Sequence, residues 1–100
     1  MGAITGTLVK ASELAGDYKI LKVTCIPASA SDTVTLVAAT HGITEILAVI
    51  PSLTAGYDAA LAGIFATFSG LVITVVTTAA AGTAATDWAG ATADLIIIGR

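Results

Sequence analysis

Charge is what this sequence has least of. Asp, Glu, Lys and Arg make up 11% of the 100 residues, against about 25% in an ordinary soluble domain. The basic residues are Lys10, Lys19, Lys22 and Arg100, too few and too scattered for the basic patch that nucleic-acid binding requires. One histidine, His41, and one cysteine, Cys25, stand sixteen positions apart, so no metal site with paired ligand spacing is expected. A single cysteine also rules out an internal disulfide. Cys25 falls in an expected strand, where a free thiol behaves as a small buried hydrophobe. His41 precedes Gly42 and reads as a solvated turn residue. The glycines follow no strand–GxGxxG–helix pattern, so no phosphate cradle and no cofactor is indicated. No nucleophile has a base at a recognisable spacing, and no enzyme is expected. The N-terminus lacks the basic and long apolar regions of a secretory signal.

What is present is apolar and small. Hydrophobic residues reach 56% while aromatics are 5%, so the apolar content is mostly Ala, Val, Ile and Leu. A monomer with so few charges would struggle to cover its surface, which points to cover by copies of itself or by a partner. The seven acidic residues are scattered, mostly in expected turns, and read as solvated.

The central question is Ala59–Thr78, AALAGIFATFSGLVITVVTT, inside a stretch with no charge from Ala59 through Thr86. It has the ~20 residues of a membrane span. Its β-branched and aromatic content, a Ser69-Gly70 turn signal at its middle and the lack of any Lys or Arg between Lys22 and Arg100 favour two strands instead. Ile64, Ala66 and Phe68 then share one face and Phe65 and Thr67 the other. After the turn, Leu71, Ile73 and Val75 oppose Val72, Thr74 and Val76. Near-continuous apolar character suggests strands covered on both faces.

The rest of the chain reads as short strands between turn signals. Ala3–Lys10 is a strand in which Gly6 marks a bulge or a close backbone approach. Ala11–Asp17 holds at most a helical turn. Tyr18–Ile26 is a strand ended by Pro27, and Pro27–Asp32 a polar loop. Thr33–Ala38 and Ile43–Ile50 are strands with a turn at Thr40-His41-Gly42, and Pro51 ends the second. Pro51–Asp58 is a loop, as is Ala79–Gly90, where the lone Trp88 plugs a core or a subunit seam. Ala91–Ile98 is the last strand, and its run Leu95–Ile98 must be paired or covered. The sum is one all-β domain over residues 1–100, a small antiparallel β-sandwich or barrel of about seven short strands.

The strands ITGTLVK, DTVTL, LVITVV and DLIIIG and the segment AAGTAATDW resemble the small virion proteins of tailed bacteriophages, and among them the capsid decoration, or cement, proteins. The resemblance implies an all-β subunit, often trimeric, that binds the major capsid protein or another virion protein on the outer capsid surface and strengthens the shell. It carries over no site residue. The composition points independently to a homo-oligomer acting through interfaces, with Phe65, Phe68, Trp88, Leu95, Ile96, Ile97 and Ile98 as the expected buried contacts. Rival expectations are another self-assembling β subunit, such as a tail component or an extracellular filament, and a membrane protein spanning 59–78.

Overall fold

A hairpin forms where the sequence places its turn. In the computed structural model, which describes residues 2–13, 18–55, 62–79, 84–85, 88 and 90–100, β6 (Gly63–Ser69) pairs with β7 (Val72–Thr78) in unbroken register, Ser69 opposite Val72. Gly70, at φ 60°, takes the first position of the two-residue loop. A two-residue hairpin with glycine first needs this positive φ there, and it matches the twist of the flanking strands. The reading of this stretch as two strands rather than a spanning helix over 59–78 therefore holds, over residues 63–69 and 72–78. Among the described residues no helix is long and apolar enough to cross a membrane.

Among the described residues, seven strands of five residues or more and one short strand build two four-stranded sheets. The first sheet runs β1 (Gly2–Ala3), β4 (Ser31–Thr35), β7, β6. The second runs β2 (Thr7–Glu13), β3 (Lys19–Cys25), β8 (Thr92–Gly99), β5 (Ile46–Ala55). All pairings are antiparallel except β1 with β4. The pairing is nested: β3 takes β8 and β4 takes β7, while the chain between them turns back on itself. This is the winding of a jelly roll shortened by a hairpin.

Alternation fills the space between the sheets. Leu21, Val23 and Cys25 of β3 and Ala93, Leu95 and Ile97 of β8 point inward from one side. Val34 of β4 and Ile73 and Val75 of β7 meet them from the other. Leu36, Ile43, Ile46 and Leu53 complete the core. Period-two patterning of this kind is what pins strand register when one face is buried.

Several expectations are corrected. The first strand divides: β1 lies in one sheet, β2 in the other, and the chain crosses at Ile4–Gly6. Gly6 makes the close approach anticipated for it, since a Cβ there would collide with the Cγ1 atoms of Val34 and Val23, one from each sheet. Ala11–Glu13 is strand, and the remainder of the expected helical turn, 14–17, lies outside the described residues. The strand expected over Thr33–Ala38 ends at Thr35, and the Thr40–Gly42 turn is the end of a single helical turn, α1 (Ala38–His41), closed by Gly42 at φ 80°. Pro51 does not end its strand; β5 runs through it to Ala55. That strand has one hydrogen-bonded neighbour, β8, and an edge strand accepts a proline whose missing donor would have faced outward. The Leu95–Ile98 run is paired, as expected, and within the chain itself: β8 is central, with β3 and β5 on either side. Most of the expected loops Pro51–Asp58 beyond Ala55 and Ala79–Gly90 lies outside the described residues.

Candidate assembly surface

The outer face of the first sheet follows from register. Directly opposed residues share a face, so three rows cross β6, β7 and β4: Phe65, Val76 and Ser31; Thr67, Thr74 and Thr33; Ser69, Val72 and Thr35. Ala3 of β1 extends the middle row. No charged side chain stands among them, because the strands' one acid, Asp32, points inward and is buried. Phe65 is the most exposed large hydrophobic of the set, at 61%.

The outer face of the second sheet is assembled the same way from β3, β8 and β5. Its rows are Ile20, Ile98 and Ala48; Lys22, Ile96 and Ile50; Thr24, Asp94 and Ser52. Four isoleucines thus form one apolar patch, bordered by a polar row. Asp94 accepts a hydrogen bond from Thr24 Oγ1 at 2.7 Å and pairs with Lys22 Nζ at 3.6 Å. Arg100 and Glu45 form a second ion pair, at 3.4 Å, and both side chains are half exposed. Neither acid is the isolated turn residue expected.

The seven residues expected at interfaces separate into four groups. Ile96 and Ile98 lie on the outer patch of the second sheet, half-buried beside Ile20 and Ile50. Leu95 and Ile97, one position out of phase, are fully buried in the chain's own core. Phe65 faces outward on the first sheet, and Phe68 sits on the opposite side of β6, with Ile64 and Ala66, 41% exposed at the strand's end. Trp88 packs half-buried against the core and donates from Nε1 to Thr77 Oγ1 at 2.9 Å. Val72, Val76, Ile20 and Ile50 were not singled out; alternation gave their phase, but strand order was needed to bring them beside the others.

The chemistry-bearing groups are bound into the fold. Asp32 holds the loop before β4: its Oδ2 accepts from the N–H groups of Ala28 and Ser29 at 2.9 and 3.0 Å, and the Ser29 hydroxyl contacts Oδ1. Thr77 ties the same loop to Trp88, its N–H donating to Ala30 O at 2.9 Å. This corrects the solvated reading of Asp32. His41 is corrected likewise: it is buried, its Nδ1 accepts from the Val37 N–H at 2.9 Å, and its Nε2 lies 2.9 Å from Gly6 O. Those partners assign the proton to Nε2, so the ring ties α1 to the crossing at Gly6. Burial, with Asp32 and then Asp94 adding, pushes the Cys25 thiol up to about 11. A thiol held protonated at neutral pH is a poor nucleophile. A groove of about 400 Å³ runs past it, between Ala3–Thr7 on one side and Thr24–Ile26 on the other.

Comparison with known proteins gives no matching family model, no similar curated protein and no similar solved structure.

Proposed function

We propose that this chain is a structural subunit that works assembled, acting through its surfaces rather than by catalysis, and that the assembly it belongs to is a virion shell, with the chain as a decoration subunit on a capsid surface. One observation carries the assembly part: both outer sheet faces present apolar or hydroxyl-bearing rows, one of them without a charge. Contiguous apolar surface of this kind marks interaction sites, and small β subunits with such faces are stable when copies or partners cover them. The capsid part is supported by the resemblance of the strand segments and composition to small phage virion proteins. The fold-level analogy adds only that jelly-roll windings occur in viral coat domains.

The test is the mass of the purified protein in plain buffer, by light scattering over a range of concentrations, followed by sedimentation with purified capsid shells. A closed oligomer that co-sediments supports the proposal. A single chain at every concentration overturns assembly, an open polymer replaces the decoration subunit with a filament or tube component, and a closed oligomer that ignores capsid shells removes the virion assignment.

A further inference from the structure

A sheet edge presents a row of unpaired N–H and C=O groups, and proteins guard such edges with short strands, charges, prolines or bulges. Three of the four edges here are guarded. β1 has two residues. β2 carries Lys10 and Glu13 and shifts register between Leu8 and Lys10. β5 carries Pro51 and shifts register twice. β6 has none of these devices: seven residues, GIFATFS, with no charge, no proline and continuous register with β7. β5 passes beside it in the facing sheet without pairing to it.

The hairpin geometry identifies which backbone groups are free. Residues flanking a two-residue loop form a hydrogen-bonded pair, and such pairs alternate with non-bonded ones. Ser69, Thr67, Phe65 and Gly63 therefore bond to β7, and the N–H and C=O groups of Ile64, Ala66 and Phe68 point to the open side. None of these three has another backbone partner among the described residues.

We infer that β6 pairs with β6 of a second copy, antiparallel about a twofold axis at Ala66, joining two first sheets into one. This rests on the assembly proposed above and names one of its contacts. The strand is self-complementary in that register. Ala66 meets Ala66, Ile64 meets Phe68 and Phe65 meets Thr67, each pair on a common face. Ile64 of the copy covers Phe68, which is 41% exposed in the single chain. Thr67 of the copy flanks Phe65. With no charge in the strand, the axis brings no like charges together, which would otherwise oppose a self-pairing. The open groups fall in register, so the pairs 64–68, 66–66 and 68–64 each exchange two bonds. The contact is isologous and closes on itself, so it gives dimers, alone or as pairs within a larger assembly.

Amide exchange and mass test it together. In the wild-type protein, exchange at Ile64, Ala66 and Phe68 slows as concentration rises, and the mass is that of two chains or an even multiple. Ala66→Pro removes an outward N–H without touching a bond to β7. It raises the dissociation constant of the twofold contact at least tenfold and frees the amides of Ile64 and Phe68. Thr74→Lys, on the outer face away from the edge, leaves that contact in place. If far-ultraviolet circular dichroism shows Ala66→Pro unfolded, Thr67→Lys, which puts a charge on the same edge, replaces it with the same expectation. Wild-type mass and slow amides in a folded edge variant overturn the β6 contact and leave assembly standing. Fast amides in an oligomeric wild type also overturn the contact alone. A wild type that stays a single chain overturns both.

Discussion

The two outer faces are made by the same device and come out differently. On the first sheet the central strand β7 alternates Ile73, Val75 and Thr77 inward with Val72, Thr74 and Val76 outward, and its neighbours add Thr33, Thr35 and Thr67. On the second sheet β8 places Leu95 and Ile97 inward and Ile96 and Ile98 outward, and its neighbours add Ile20 and Ile50 beside Lys22. Hydroxyls disperse the apolar surface of one face; the other concentrates it and frames it with ion pairs. The edge strands of the second sheet, β5 and β2, carry the proline and the register shifts. β6, at an edge of the first sheet, carries neither.

The sharpest way to break the inward–outward distinction on β8 is to truncate adjacent residues. Leu95→Ala opens a cavity between the sheets and lowers unfolding free energy by about 2–5 kcal/mol in denaturant titration, while Ile96→Ala, on the outer face, costs about 1 kcal/mol or less. Equal losses would place the core elsewhere.

A smaller effect separates the inner faces. The first sheet buries a polar residue, Thr77, fully, where the corresponding positions of β8 are apolar. Thr77→Val keeps the volume but leaves the Trp88 indole N–H and the Ser29 carbonyl without this partner. The expected loss is about 1–3 kcal/mol, read with a blue or red shift in Trp88 fluorescence as the indole environment changes. An unchanged stability would show that water replaces the hydroxyl at no cost.

The smallest effect belongs to Cys25 on the inner face of the second sheet. Its folded thiol ionises at about 11 against an ordinary 9.0. A raised pKa in the folded state means that the unfolded chain gives up its proton first. The stability contributed is therefore complete below pH 9 and declines as pH rises from 9 toward 11. Comparing Cys25→Ala with the wild type isolates this slope: the wild type loses stability more steeply over that interval. The thiol also reacts with a disulfide reagent far faster after unfolding than before it. Parallel slopes would remove burial as the cause.

Much of the fold was legible from local pattern. The Ser69-Gly70 turn, the phase of β6 and β7, the inward set Leu21, Val23 and Cys25 and the tight approach at Gly6 all follow from period-two alternation and backbone sterics, which act within a few residues. What was not legible depends on strand order. Leu95–Ile98 has the composition of a central strand and of an adhesive edge alike, and only the pairing with β3 and β5 decides between them. Pro51 reads as a stop until its strand is known to lie at an edge. Asp32 and His41 look solvated because their partners are backbone groups, Ala28 and Ser29 for one, Val37 and Gly6 for the other, and backbone groups leave no mark in composition. On the candidate surface, Phe65, Ile96 and Ile98 were visible as apolar residues, but Ile20 and Ile50 join them only across the sheet.

The nested pairing sets an order of events for the folding chain. The β6–β7 hairpin joins residues a few positions apart and can close within microseconds. The second sheet cannot: β8 bonds Lys19 to Gly99 and Cys25 to Ala93, so β3 and β5 have no common partner until residues 92–99 are available, although β2 can pair with β3 before then. Such distant contacts carry a large loop-closure cost and belong to slow-folding β topologies. A growing chain therefore carries a formed hairpin with an open β6 edge for as long as its second sheet waits for β8. The strand best suited to meet a copy is also the first to be ready for one, and the concentration of nascent chains becomes a determinant of whether that meeting precedes or follows the closing of the core.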